Sequence, residues 1–227
     1  MTPIGIVAHK SRESRALRLA DTIDAEFLSI DSGSPRSALG PGRNHDQVWE
    51  WLNDSPGEWK VVLEDDALPV KGFRNQLTAV LKAAPTPIVS LYLGRGRPPH
   101  WQPSIARVIA DPRTDPNFLV GTELLHHVAV AMKADLVSDM LAKRDRTLPI
   151  DESIGEWARR AGHAISYSRP SIVDHDFRLD TTILRHISRH KTDNGRRDNP
   201  RELRKAWAFG ARQQWNDSWK VIPEPNL

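Results

Sequence analysis

Three carboxylates stand side by side in Glu64-Asp65-Asp66, directly behind the apolar run Trp59-Lys60-Val61-Val62-Leu63. A run of that length reads as a buried strand, and its abrupt end in charge puts the acids at the strand's C-terminal tip. Open α/β sheets bind ligands at such tips. Two like charges ~5 Å apart at an effective dielectric of ~20 repel by roughly 3 kcal/mol, so the acids need a counter-ion. A divalent cation supplies one, and hard oxygen ligands suit Mg²⁺ or Mn²⁺. The alternative is a solvated acidic turn. Placement between Val61-Val62-Leu63 and Pro69 favours the ligand-binding reading.

Other groups could share that crevice. In Pro149-Ile150-Asp151-Glu152-Ser153, Asp151 or Glu152 could act as a carboxylate base toward a substrate hydroxyl. Either acid could instead serve the dipole of a helix start, where Ser153 and Glu156 have capping-box spacing. His175, flanked by Asp174 and Asp176, is a candidate third protein ligand for the cation, and a surface or capping role is its alternative. Of His126 and His127, one is expected in the crevice and the other in the packing, because strand neighbours alternate faces. His9, Arg12 and Arg15 follow the first apolar run, and Arg43 and His45 open a later helix; such cations suit an anionic ligand. The Gly94-Arg95-Gly96-Arg97 loop could approach a phosphate. No Walker-type lysine loop and no Gly-x-Gly-x-x-Gly follows the first strand, which removes nucleotide triphosphatases and dinucleotide dehydrogenases.

The elements that must position these residues alternate short apolar runs with helical periodicity, the pattern of an α/β fold. Strands are expected at residues 4–8, 26–30, 59–63, 87–93, 127–132 and 164–167. Helices are expected at residues 11–25, 44–53, 73–84, 133–143 and 151–161, the first with Ala16, Leu17, Ala20 and Ile23 on one face. Residues 31–42 read as a Gly/Pro/Ser loop, and 94–117 as loop or edge hairpin.

The chain has 227 residues, 39% hydrophobic and 27% charged, with no cysteine. That excludes wholesale disorder, a disulfide scaffold and thiolate chemistry. No apolar run approaches the roughly 20 residues of a membrane span, and residues 1–4 show no leader pattern, so a cytoplasmic location is expected. Charge is uneven: residues 1–177 carry 21 Lys and Arg against 23 Asp and Glu, whereas 178–220 carry 11 against 5. The expected organisation is a catalytic domain over 1–177 and a basic extension over 178–227, packed on it and available to a polyanionic partner.

Taken in order, these pieces resemble nucleotide-sugar glycosyltransferases of GT-A type, with the nearest likeness to family 25 (the lipooligosaccharide and procollagen galactosyltransferase group) and its small phage and actinobacterial relatives. Leu63-Glu64-Asp65-Asp66 is similar to the family's Leu-Glu-Asp-Asp version of the Asp-x-Asp metal motif. Residues 42–49 are similar to the Gly…Ser-His…Trp segment before it, with Asn44 where serine is common. Residues 122–141 resemble the strand-and-helix segment after it, Pro149-Ile150-Asp151 the later Pro-x-Asp, and residues 170–175 the terminal Pro-Ser-x-Val motif. The likeness spans roughly residues 4–177.

It implies a GT-A (Rossmann-like) mixed, mostly parallel sheet flanked by helices. It implies a Mn²⁺ or Mg²⁺ ion held by Glu64 and Asp66, with His175, on the diphosphate of a UDP-sugar, and Asp65 orienting the sugar. With Asp151 or Glu152 as base, the reaction would be an inverting displacement, an outcome the residues leave open.

The acceptor is a further expectation. Residues 178–220 interleave cations with Trp207, Phe209, Trp215 and Trp219, a composition suited to gripping phosphates and stacking on exposed bases. Double-stranded DNA held by Arg185, Arg189, Arg196, Arg197, Arg204 and Lys205, with a hydroxymethylated pyrimidine as acceptor, fits a phage enzyme working in the host cytoplasm. The alternatives are a protein or glycan acceptor, a non-catalytic nucleic-acid-binding protein on a degenerate transferase fold, or a helix pair that merely closes the core.

Overall fold

The computed structural model describes residues 1–32, 41–176, 178 and 204–225. Its backbone begins with β1 (Ile4–His9), a 3-10 turn (Lys10–Arg12), α1 (Glu13–Ile23), β2 (Phe27–Asp31), α2 (Pro41–Asp54) and β3 (Trp59–Glu64). Then come β4 (Ala67–Pro69), α3 (Phe73–Ala83), β5 (Ile88–Ser90), a second 3-10 turn (Pro99–Trp101), α4 (Gln102–Ile109), β6 (Phe118–Gly121) and β7 (Ala129–Lys133). The remainder is α5 (Ala134–Lys143), α6 (Ile150–Arg160), β8 (Ile165–Ser168), β9 (Val173–His175) and β10 (Trp219–Val221).

Eight strands form one sheet in the order β10-β6-β8-β5-β7-β3-β1-β2, and β4 pairs with β9 in a separate ribbon. β1, β2 and β3 are parallel, β7 runs antiparallel between β3 and β5, β5 and β8 are parallel, and β6 and β10 run together beyond them. Alternation along the strands sends Ile4, Ile6, Val61, Leu63, Ala129 and Ala131 to one face, where α1 and α3 cover them. Val7, Val62, Val130 and Met132 go to the other face, under α2, α4, α5 and α6. The result is an α/β fold with a mixed, mostly parallel sheet flanked by helices on both sides.

Three local expectations differ from the structure. Leu17 is 54% exposed, because it lies about 100° around α1 from Ala16, outside the stripe of Ala16, Leu19 and Ile23. Residues 94–117 hold α4 as well as loop: Pro103 sits in its first turn, where a helix tolerates proline, and Trp101 and Ile105 anchor it in the core. Residues 204–225 form no helix pair among the described residues. They run as irregular chain with bends, with Trp207 N–H on Leu93 O at 2.9 Å, and contribute β10 to the sheet edge. No helix is long and apolar enough to cross a membrane among the described residues.

Candidate functional site

β1 leads through α1 to β2 on one side, while β3 leads through α3 to β5 on the other. Their C-terminal ends therefore flank a topological switch point, where an open sheet leaves a crevice. Register sets Val7 beside Glu64, so His9 and the acidic triplet meet there.

The three acids do not share one partner. Oε1 of Glu64 faces Nε2 of His45 at 3.4 Å and Nδ1 of His127 at 3.7 Å. Asp65 turns the other way: Oδ2 accepts the His9 amide at 2.9 Å and Oδ1 accepts from Nη1 of Arg12 at 2.7 Å. The same Nη1 reaches Oδ2 of Asp66 at 3.1 Å, and that oxygen is 3.4 Å from Nε2 of His175. The β4–β9 ribbon brings the histidine there by pairing Ala67 with His175. Arg15 closes the wall, with Nε donating to Asp65 O at 2.8 Å and Nη1 3.0 Å from Asp176. Thus a guanidinium answers the repulsion between Asp65 and Asp66 that the sequence reading gave to a divalent ion.

Burial dominates the electrostatics. It holds the Asp65 carboxyl above its usual range, against the pull of the His9 amide and Arg12. Burial would push Glu64 up as well, but the adjoining His127 and His45 imidazoles outweigh it and hold the group below the usual carboxylate range. Burial lowers His127, and lowers His126 to about 4 with the charge of His175 adding to it. Burial raises Asp151, against the Glu152 amide and with the charge of Glu64 reinforcing it. Asp151 is half-buried in the first turn of α6, whereas Glu152 is exposed.

The remaining candidates divide. Both histidines of the His126–His127 pair are turned inward: His127 meets His45 edge-on with ring centroids 4.4 Å apart, and His126 packs on Tyr92 at 5.2 Å. His9 contributes its amide, while its ring Nδ1 caps the following turn through Ser11 at 2.8 Å. Arg43 lies on the outer face of α2, lining a surface hollow with Asp46, Gln47, Glu50 and Arg146 rather than facing the acids. Gly94 is buried in packing: a Cβ there would lie 2.3 Å from the Tyr92 hydroxyl and 2.9 Å from Nε2 of His126. Gly94→Ala should therefore destabilise the fold by about 1–3 kcal/mol, read as a lower urea midpoint at constant slope.

Among the expected metal ligands, Asp66 and His175 adjoin, but Glu64 belongs to another group. The described residues contain one triad whose donor atoms all lie within 4.8 Å of one another, and it is His45, Glu64 and His127. His127 is the member of the His126–His127 pair that faces Glu64, and two supports of the site carry no sequence signal of their own. Asn44 donates to Ala8 O at 2.9 Å and accepts from Ser29, fixing α2 against β1 so that His45 points at Glu64. Asp176 anchors Arg15. Of the expected DNA contacts, Arg185, Arg189, Arg196 and Arg197 lie outside the described residues. The Arg204 carbonyl accepts from the Tyr92 hydroxyl, and the Lys205 carbonyl from the Arg95 amide at 2.8 Å.

No family model and no curated protein matches the chain. Among solved structures, A197 from STIV is similar at a TM-score of 0.46 and 11% identity, over 79% of this chain and 87% of that one. A glycosyltransferase involved in the glycosylation of the major capsid of PBCV-1 is similar at a TM-score of 0.28 and 11% identity, over 62% and 65% of the two chains. At such scores neither likeness bears on activity.

Proposed function

We propose that this protein is a glycosyltransferase that moves a sugar from a nucleotide-diphosphate donor, a UDP-sugar, to an acceptor hydroxyl. The observation that carries the reading is Asp151, a half-buried carboxyl that leads the inward face of α6 and that burial holds above its usual range. A base with a raised pKa is a better proton acceptor for a hydroxyl than an ordinary carboxylate. In the reaction Asp151 takes the acceptor proton as that oxygen bonds to the donor's anomeric carbon. The bond to the diphosphate breaks, and its electron pair leaves with the diphosphate, which inverts the centre.

The crevice carries more negative than positive charge, since Glu64, Asp65, Asp66 and Asp176 stand against the guanidinium groups of Arg12, Arg15 and Arg178. A diphosphate entering it needs added countercharge. A divalent ion, Mn²⁺ or Mg²⁺, would supply that charge to the departing diphosphate when bound. Glu64, Asp66 and His175 do not converge on one point, so that ligand set does not fit the observed conformation.

Hydroxymethylated pyrimidine in DNA is the proposed acceptor. Two of the four aromatics advanced for stacking are committed to the fold: indole N–H groups of Trp207 and Trp215 donate to Gln102 at 3.0 Å and Gln76 at 2.8 Å. Phe209 and Trp219 remain exposed, at 48% and 51%. UDP-sugars incubated with Mn²⁺ and hydroxymethylated duplex should give metal-dependent transfer, with duplex binding that weakens steeply as salt rises. Transfer to glycan or protein but not duplex would move the acceptor. Neither transfer nor donor hydrolysis with any divalent ion would overturn the transferase reading.

A further inference from the structure

We propose that His45, Glu64 and His127 bind one transition-metal ion, with Nε2 of His45, Oε1 of Glu64 and Nδ1 of His127 as its protein ligands. Ligands about 2.1 Å from a tetrahedral ion stand about 3.4 Å apart. The carboxylate oxygen here lies 3.4 Å from one imidazole nitrogen and 3.7 Å from the other. Both separations exceed a well-formed hydrogen bond and match two edges of a coordination polyhedron. The imidazole planes are nearly perpendicular, at 86°, so the rings approach from different directions rather than stacking.

A second observation is independent of that spacing. His127 is only 3% exposed, yet neither of its ring nitrogens has a hydrogen-bond partner, and Nδ1 is the nitrogen turned toward Glu64. Leaving a buried imidazole unpartnered costs free energy that a coordinate bond would offset. The donors are presented by three separate elements: His45 by α2, Glu64 by the tip of β3, and His127 by the segment entering β7. The pairing of β3 with β7 and the Asn44 bond to Ala8 hold them at fixed spacing. Two imidazoles and one carboxylate favour a borderline ion such as Zn²⁺ or Co²⁺ over Mg²⁺, which prefers oxygen. The Glu64 side chain keeps 29% exposure, so one flank of the ion faces the crevice and leaves positions for water. If the chain also transfers sugar, an oxygen of the donor diphosphate takes one of them, and this clause alone rests on the reading above.

The experiment uses the full chain without a histidine tag and without donor. Titration with Co²⁺ should show one ion per chain, with Mg²⁺ bound at least ~100-fold more weakly. X-ray absorption of the Co²⁺ complex should show two imidazoles in its first coordination sphere, a readout on the wild-type protein that no misfolded variant can confuse. His45→Gln and His127→Gln should each weaken Co²⁺ by at least ~100-fold, and Asp66→Asn should leave it within about 3-fold. The proposal is overturned by no Co²⁺ uptake, by fewer than two imidazoles on the ion, by equal affinity for Mg²⁺, or by binding lost in Asp66→Asn but kept in His127→Gln. Stoichiometric Co²⁺ binding without transfer would remove the transferase reading and keep this site; transfer without Co²⁺ binding would do the reverse.

Discussion

Asp151→Asn should cut sugar transfer by about 10²–10⁴-fold while leaving donor affinity nearly unchanged and the fold more stable. The three outcomes share one cause. Burial holds the Asp151 carboxyl above its ordinary value in the folded chain, with the charge of Glu64 reinforcing it. Ionised Asp151 is thus penalised by folding, and stability falls as pH rises from the unfolded value, near 3.8, to the raised folded value. Above that window the loss is complete, so at pH 7 asparagine, which carries no charge, relieves it. The same direction governs catalysis: a base works only when deprotonated, so the transfer rate climbs as pH rises through the raised value. Glu152→Gln, at an exposed position, should change neither turnover nor melting temperature appreciably. Retained turnover in Asp151→Asn, or donor affinity falling as steeply as turnover, would remove Asp151 as the base.

The choice between those two acids was partly written in the helix period. Asp151 precedes the buried Ile154 by three residues and the buried Ala158 by seven, so it leads the inward face of α6. β1, β3 and β7 were legible because both their faces are covered, which leaves near-continuous apolar runs. β4, β6, β9 and β10 are three or four residues long and take their conformation from distant partners, so no local pattern announces them. The crevice was legible as a place, from charge following an apolar run. Its internal pairing was not. Arg12 reads as a cation for an anionic ligand, and only the docking of α1 on the sheet turns it under Asp65 and Asp66. His127 reads like His126, and the register of β7 on β3 decides which of them meets Glu64.

Arg12→Ala should cost about 3–5 kcal/mol of stability at neutral pH, the scale for removing one partner of a buried ion pair. The Arg12 side chain is 11% exposed, and the carboxylates it joins are 7% and 13% exposed. Its removal leaves two adjacent, poorly solvated negative charges without the guanidinium between them. Asp65 is already held high by burial despite Arg12, and without the cation it must rise further. The penalty therefore depends on pH with a fixed sign. Protonation spares Asp65 the uncompensated charge in acid, so the difference between variant and wild type should shrink as pH falls toward the ordinary carboxylate value and widen as pH rises above it. Urea unfolding of both proteins from pH 4 to 8 measures that divergence. A second arm separates charge from shape: Asp65→Asn placed on Arg12→Ala should restore a large part of the loss, because it removes the carboxylate most buried by the triplet's inward turn. Additive losses in the double variant, or a penalty flat across the pH range, would mean that Arg12 serves the fold by packing and not as the counter-ion of the acidic turn.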